Sequence, residues 1–210
     1  MGRDIVPSRA MNLSTPRARD IARELLKGSG DRWTHVQSVG RTADDLAAQG
    51  LDIPEDVISA AWLHDIGYAT PLADTGFHPI DGARWLAAQG APMQIVALVA
   101  YHSGARFEAE ECDLTDELAV FPQPDEELLD LLTMLDMTVG PTGSGVTVGT
   151  RLEEILSRYP SEHPVHQAVA RSHDYLMASA NRAAARLHGS GVRALSPASP
   201  WTVRDLGRDG

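Results

Sequence analysis

An apolar segment at residues 60–68, Ala-Ala-Trp-Leu-His-Asp-Ile-Gly-Tyr, carries a histidine and an aspartate near its centre. The apolar residues on both sides of His64 and Asp65 predict that this pair is buried. A buried imidazole and carboxylate are costly to desolvate unless each has a strong partner. The fold must therefore bring compensating groups to this point, and a divalent metal ion is a partner that suits both side chains.

Further side chains that can bind a metal lie on both sides of this pair. His35 precedes it in the chain, and His78, His102 and Asp136 follow it. Imidazole and carboxylate suit Fe, Mn, Zn, Ni or Co, whereas Mg prefers more oxygen ligands. Because none of the candidates is a cysteine, a structural zinc site is disfavoured. We therefore predict that these residues converge on a centre that holds one or two divalent ions.

Apolar residues recur mostly at spacings of three and four, and few segments alternate with a period of two. This pattern is typical of helices, so we predict an all-α domain. The predicted helices span residues 15–28, 32–49, 54–65, 78–89, 92–102, 108–121, 125–138, 147–159 and 164–188. Each candidate ligand then lies at the end of a helix or on its inner face, which allows several helices to meet at one point.

The length of the chain sets its domain organisation, since 210 residues are enough for one well-cored domain and too few for two. We expect a flexible N-terminal arm at residues 1–14 and a single domain at residues 15–188, with a ligand-bearing core at about 20–160. Residues 189–210 are rich in Ser, Gly, Pro and Arg, which predicts an extended or mobile tail.

Charge and composition exclude several classes of partner. The net charge is −11 and Lys27 is the only lysine, so the chain has no basic stripe that could follow a nucleic-acid backbone. No stretch approaches the ~18 apolar residues of a membrane span, and the start lacks the apolar run of a secretory signal. The single Cys112 cannot form an intramolecular disulfide. We expect a cytoplasmic protein that binds neither nucleic acid nor membrane. Its oligomeric state stays open, with a homodimer as one option.

The order His35, then His64-Asp65, then Asp136 resembles the H…HD…D signature of the HD-domain superfamily, and residues 64–67 match its HDIG variant. The resemblance implies an all-helical fold, a single HD-domain bundle in which these four residues bind a divalent metal. Members of this superfamily usually hydrolyse phosphomonoesters or phosphodiesters. The implied substrate is a small phosphorylated compound, with a nucleotide-like molecule favoured.

His78 and His102 resemble the two extra histidines with which some HD proteins hold a second metal ion. The resemblance then implies that Asp65 bridges two ions, and it places His64 and Asp65 in the catalytic centre. A hydroxide shared by the metals would be the nucleophile. Two ions lower the pKa of bound water and neutralise charge that develops on the phosphoryl oxygens.

A phosphorylated substrate of so acidic a protein needs local positive charge, and arginine binds phosphate bidentately. Arg106 follows His102 by four residues, and Arg41 lies about two turns beyond His35. We predict both arginines as substrate-binding residues.

Two other motifs resemble functional ones, but we predict that neither takes part in the chemistry. His173-Asp174 is a second His-Asp pair, but its polar setting predicts an exposed position on the last helix. Residues 140–147 resemble a phosphate-binding loop, yet Val146 takes the place of the lysine and the segment follows a helix rather than a strand. We predict that this segment is a flexible loop at the rim of the pocket near Asp136.

Two alternatives use the same ligands. A few six-ligand HD proteins resemble mixed-valent diiron oxygenases, which cleave C–C or C–P bonds with dioxygen, and the ligand types alone do not exclude this chemistry. The other alternative is a non-catalytic ligand-binding HD domain, against which the intact ligand set counts. Among hydrolases, cyclic di-GMP phosphodiesterases are disfavoured because Tyr68 replaces a lysine and the chain has no Gly-Tyr-Pro motif. Diadenosine-tetraphosphate hydrolases of the HD type remain an option.

Overall fold

The structure of the protein is a computed structural model that describes residue 11 and residues 13–189. In chain order, the helices are α1 (Thr15–Leu26), α2 (Asp31–Ala48), α3 (Glu55–Leu63), α4 (His78–Ala88), α5 (Met93–Tyr101), α6 (Ala105–Glu111), α7 (Thr115–Ala119), α8 (Glu126–Met137), α9 (Val148–Arg158) and α10 (Pro164–Gly189). Short 3-10 turns follow α3 at Ile66–Tyr68 and Thr70–Leu72, and another follows α5 at His102–Gly104. The described residues form no strand, so the predicted all-α fold is confirmed.

Local signals in the sequence set several helix ends. Proline occupies the first turn of α1 and of α4, where its missing N–H leaves no hydrogen bond unmade. Asp125 caps α8 by accepting hydrogen bonds from the backbone N–H groups of Glu127 at 2.9 Å and Leu128 at 3.2 Å. Thr147 caps α9 by accepting a hydrogen bond from the N–H of Thr150 at 3.1 Å. These caps define the first turns of α8 and α9.

Helices α3 and α5 lie at the centre of the domain. Residues 57–63 of α3 and residues 95–101 of α5 are all buried, because other helices cover them on every side. Helix α3 packs against α1, α2, α5 and α8, and α5 packs against α4. The C-terminal ends of both central helices therefore lie inside the domain, and His64 and His102 directly follow these ends.

Helix α10 covers one side of the domain by packing against α6, α8 and α9. Asp130 of α8 is 1% exposed and accepts hydrogen bonds from Ser179 at 2.6 Å, Arg182 at 2.7 Å and Arg186 at 2.8 Å. Several donors compensate this buried carboxylate for the water that it has lost. The cluster therefore joins α10 firmly to α8, the helix that carries Asp136.

The single helix predicted at residues 108–121 is wrong. Two short helices, α6 and α7, occupy this region, and the chain turns between them at Cys112 and Asp113. Asp113 has a φ of 58°, a left-handed conformation that ends a helix and that aspartate tolerates better than most residues. The other predicted helices agree with the structure to within a few residues at each end.

The predicted N-terminal arm and C-terminal tail fall largely outside the described residues, and the limits of the domain stay a prediction. Within residues 13–189, no helix combines the length and the apolar character that crossing a bilayer requires.

Candidate metal centre

The six predicted ligands lie on or directly beside five helices and meet in one place. They are His35 near the start of α2, His64 and Asp65 at the end of α3, His78 at the start of α4, His102 after α5 and Asp136 in the last turn of α8. Five of the six are buried, and His78 is partly exposed. The predicted convergence of helices on one cluster of histidine and aspartate side chains is confirmed.

His35, His64 and Asp136 form the first group of candidate ligand atoms. His35 Nε2 lies 2.9 Å from Asp136 Oδ1 and 3.4 Å from His64 Nε2. His64 Nε2 lies 3.8 Å from Asp136 Oδ1. One ligand atom of each residue thus lies within 4.8 Å of the others, a spacing that can place three donors around one cation.

Asp65, His78 and His102 form the second group. His78 Nε2 lies 3.2 Å from His102 Nε2 and 3.1 Å from Asp65 Oδ1, and His102 Nε2 lies 3.8 Å from the same oxygen. The other oxygen of Asp65, Oδ2, lies 3.4 Å from Nε2 of His64 in the first group. The two oxygens of Asp65 therefore face different groups, as they would in a carboxylate that bridges two ions.

Main-chain carbonyl groups determine which ring nitrogen of the histidines faces the centre. The Nδ1 atoms of His35, His64 and His102 lie 3.1, 2.9 and 2.6 Å from carbonyl oxygens. Because a carbonyl oxygen can only accept, each Nδ1 carries the proton, and a neutral ring presents the lone pair of Nε2 to the centre. For His35 the acceptor is Gly140, so the loop predicted at the rim of the pocket also orients a candidate ligand.

The first group requires a positive charge between its members. Two neutral imidazoles cannot form a hydrogen bond between the Nε2 atoms of His35 and His64, since both atoms would then carry lone pairs. Without a metal, a proton on His64 supplies the charge. Burial lowers the pKa of His64, but the carboxylates of Asp65 and Asp136 outweigh burial and raise this pKa to about 9. A divalent metal would replace that proton, and the donor set fits one.

The second group is prepared to bind a cation in a similar way. Burial lowers the pKa of His78 to about 4, so its ring is neutral at pH 7 and can offer a lone pair. Burial would raise the pKa of Asp65, but His64 and Arg32 hold this pKa well below its ordinary range. The group therefore combines an ionised carboxylate with neutral imidazole, which suits Fe, Mn, Co, Ni or Zn.

Ser103 links the two groups. Its hydroxyl donates a hydrogen bond to Asp136 Oδ2, which leaves Oδ1 of Asp136 facing His35. Ser103 also follows His102 directly and has a φ of 46° and a ψ of 39°, a left-handed conformation that is uncommon for serine. Unusual backbone conformations of this kind tend to occur at functional sites. Ser103 thus orients one candidate ligand and adjoins another.

A stack of three side chains flanks the second group. The rings of Tyr68 and His78 are parallel within 17°, with centroids 4.0 Å apart. The guanidinium of Arg32 lies 3.9 Å from the centre of the Tyr68 ring and donates a hydrogen bond of 2.5 Å to Asp65 Oδ2. Arg32 is therefore held beside the centre by both a cation–π contact and an ion pair.

The two arginines predicted to bind substrate lie outside the pocket that opens onto the ligands. Arg41 lines a separate groove together with Arg19 and Trp62. Arg106 is exposed, and its guanidinium lies 4.4 Å from the centre of the Tyr175 ring. Neither residue lines the pocket with the candidate ligands, and their roles in substrate binding stay predictions.

Three other arginines do line this pocket of about 110 Å³: Arg32, Arg151 and Arg158. Sequence reasoning missed all three. Arg32 lies three residues before His35, one helical turn away on the same side of α2, and this spacing could have identified it. Arg151 and Arg158 reach the pocket because α9 packs beside α8 and α10, and no local pattern predicts that packing.

A comparison with known protein families identifies the family of this chain. The family model of the HD domain matches residues 32–136, which is half of the chain. The chain belongs to the HD-domain family. The matched region begins at Arg32 and ends at Asp136, so it contains all six candidate ligands of this HD domain. A search of curated proteins and a search of solved structures gave no significant match.

The second His-Asp pair takes no part in the HD centre. His173 and Asp174 are exposed on α10, with His173 Nδ1 3.0 Å from Asp174 Oδ1. The interpretation of this pair as an exposed part of the last helix is confirmed. Burial at the end of a central helix, rather than the dipeptide itself, distinguishes the HD motif at His64 and Asp65.

Proposed function

We propose that this HD domain is a metal-dependent phosphohydrolase that hydrolyses a small phosphomonoester or phosphodiester, with nucleotide-like compounds among its substrates. The main support is Asp65, whose two oxygens face two separate groups of histidine and aspartate ligands. Members of the HD family are mostly metal-dependent phosphohydrolases, which agrees with this ligand arrangement.

The two groups would hold one or two divalent ions, with Fe, Mn, Co, Ni or Zn preferred over Mg because four of the six donors are imidazoles. When bound, such ions would lower the pKa of water and neutralise charge on the phosphoryl oxygens. His64 and Asp65 are the residues that we assign to catalysis. Asp65 joins the two groups, and His64 contacts Asp65 as well as the other two members of the first group.

The pocket favours water, rather than a side chain, as the nucleophile. Among the described residues that line it, Ser103 is the one serine or threonine, and its hydroxyl proton is already donated to Asp136. Burial would raise the pKa of Asp136, but the hydrogen bond with His35 and the charge of His64 hold this pKa well below its ordinary range. The Asp136 carboxylate is therefore a poor base for activating the serine hydroxyl. The role of Ser103 is therefore to orient Asp136.

Arg32 supplies positive charge at the same place. Its guanidinium is fixed by Tyr68 on one side and by Asp65 on the other, so little side-chain entropy is lost when it binds an anion. A guanidinium has five N–H donors, and the ion pair with Asp65 leaves others for phosphoryl oxygens. We assign Arg32 to substrate binding.

The test is phosphate release by protein that has been stripped of metal and reloaded anaerobically with one metal at a time. We expect Mn²⁺ or Fe²⁺ to restore hydrolysis of p-nitrophenyl phosphate, bis-p-nitrophenyl phosphate or mononucleotides. Asp65→Ala should abolish both metal binding and hydrolysis. The matched control is the double variant His173→Ala/Asp174→Ala, which removes the exposed His-Asp pair and should keep full activity.

Two results would contradict the proposal. One is hydrolysis that survives in the Asp65→Ala protein, because the bridging position would then be dispensable. The other is oxygen uptake by the iron-loaded protein that depends on an added phosphonate or polyol, without anaerobic release of phosphate. That result would favour the diiron oxygenase alternative.

A further inference from the structure

Helix α9 presents two arginines to the metal pocket. Arg151 and Arg158 are seven residues apart, about two helical turns, so they lie on the same face of α9. Both line the pocket together with Asp65 and Asp136, and both also line a neighbouring cavity with Arg32. This face of α9 is thus a local concentration of positive charge in a chain whose net charge is −11.

Glu154 holds both guanidinium groups. Arg151 donates to Glu154 Oε2, and Nε of Arg158 donates to Glu154 Oε1 at 2.9 Å. One carboxylate therefore serves two guanidiniums, and the three side chains together keep one positive charge. Ion pairs within a helix contribute little to stability, and they do not require either arginine to be buried.

Arg151 is nevertheless buried, with a side chain that is 8% exposed. Its Nε–H has no hydrogen-bond acceptor among the described residues. A buried charged group with an unsatisfied donor is costly. Arg151 also lines the pocket, so an anion bound there would offset this cost through the attraction between its charge and the buried guanidinium.

We infer that Arg151 and Arg158 form a second anion subsite beside the metal centre. This inference rests on the proposed phosphohydrolase function and specifies its substrate class. The preferred substrate carries a second anionic group, a carboxylate or another phosphate, in addition to the phosphate that is hydrolysed. The hydrolysed phosphate lies at the candidate ligands and Arg32, and the second anion lies against α9. The small volume of the pocket, about 110 Å³, favours a short linker between the two groups.

The test uses non-hydrolysable ligands, so that binding is measured without turnover. Propylphosphonate carries one anionic group, and 3-phosphonopropionate carries a carboxylate in place of the terminal methyl group. Isothermal titration calorimetry with the anaerobic, Mn-loaded full chain should show at least about tenfold tighter binding of 3-phosphonopropionate. Propane-1,3-bisphosphonate, measured in parallel, distinguishes a site for carboxylate from a site for phosphate.

Arg158→Gln should remove most of this preference and leave the Kd of propylphosphonate within about twofold of the wild-type value. The Arg158 side chain is 36% exposed, so we expect the variant to fold, and its melting temperature verifies this. The matched control is Arg171→Gln. Arg171 is likewise an arginine held in ion pairs, here with Glu110 and Glu111, but it does not line the pocket. This control should keep the full preference.

Equal Kd values for the two phosphonates in the wild-type protein would overturn the inference. So would an unchanged preference in Arg158→Gln, or no detectable binding of 3-phosphonopropionate. Hydrolysis is assayed separately with p-nitrophenyl phosphate. Loss of the proposed reaction with an intact binding preference would therefore reject the hydrolase function and leave the anion subsite standing.

Discussion

Replacement of Gly67 by alanine tests how the second ligand group is positioned. Gly67 lies in the 3-10 turn after Asp65, and this turn packs against the start of α4. A Cβ atom at position 67 would lie 2.0 Å from the carbonyl oxygen of His78 and 2.8 Å from the nitrogen of Gly82. Both of these atoms belong to the backbone, so no rotation of a side chain can relieve the contact.

The size of the displacement follows from these distances. Real Cβ atoms essentially never approach another heavy atom closer than 3.0 Å, so the His78 carbonyl must retreat by about 1 Å. A metal site tolerates only about 0.2 Å of error in its ligand distances. The displaced α4 should therefore carry His78 out of range of a metal shared with Asp65 and His102. Overpacking of this kind costs about 1–3 kcal/mol, or several degrees of melting temperature.

Metal stoichiometry and affinity, measured by mass spectrometry and calorimetry after anaerobic loading, report on this displacement. Where the wild-type protein takes up two ions, Gly67→Ala should lose the ion at Asp65, His78 and His102 and retain the ion at the first group. Hydrolysis that depends on two ions should fall with it.

Two glycines provide graded controls. A Cβ at Gly28 meets nothing within 4 Å, so Gly28→Ala should leave both ions in place. A Cβ at Gly82 meets the nitrogen of Gly67 at 3.2 Å and Ile66 Cγ1 at 3.3 Å, so Gly82→Ala should have an intermediate effect. If Gly67→Ala bound both ions with wild-type affinity and melted at the wild-type temperature, the reasoning would be refuted.

Three further predictions concern the metal centre and the helix packing around it. Ser103→Ala frees Asp136 Oδ2 and should weaken metal binding by about 10–100-fold in calorimetry, and an unchanged affinity would contradict the orienting role. In the metal-free protein, the folded-state pKa of His64, about 9, lies above its ordinary value of 6.5. The stabilisation from its proton is therefore complete below about pH 6.5 and lost as the pH rises through about 9. Melting temperatures of chelated protein should fall over this range, and a decline of equal size in His64→Gln would exclude His64 as the source. Asp130→Ala removes the buried carboxylate that accepts hydrogen bonds from Ser179, Arg182 and Arg186 of α10, and should cost about 2–3 kcal/mol in urea unfolding. Metal stoichiometry should be unchanged in this variant, and a cost below about 0.5 kcal/mol would show that the cluster contributes little.

Much of the fold could be predicted from the sequence because the signals are local. Spacings of three and four apolar residues, prolines in first turns and the caps at Asp125 and Thr147 each act within one or two turns of a helix. The break at Asp113 was missed because aspartate adopts a left-handed conformation only where the surrounding packing requires it. The burial of the pair at residues 64 and 65 also followed from local composition.

The roles of the arginines show where local signals end. Arg106 and Arg41 were chosen for their distance in sequence from a histidine, but the direction in which each side chain points depends on how its helix packs. Arg151 and Arg158 lie far in sequence from the HD motif and reach the pocket through the packing of α9. Apart from Arg32, which lies one turn before His35, distance in sequence from a histidine therefore did not predict which arginines line the pocket.

Residue type and spacing within single helices were enough to predict the all-helical fold, the HD motif and the chemical identity of the six candidate ligands. Tertiary structure alone decided how these ligands divide into two groups. His35 and Asp136 lie 101 residues apart in the chain, yet their side chains are 2.9 Å apart. That distance, and the assignment of one oxygen of Asp65 to each group, depend on the angles at which α2, α3 and α8 pack, which no local pattern encodes.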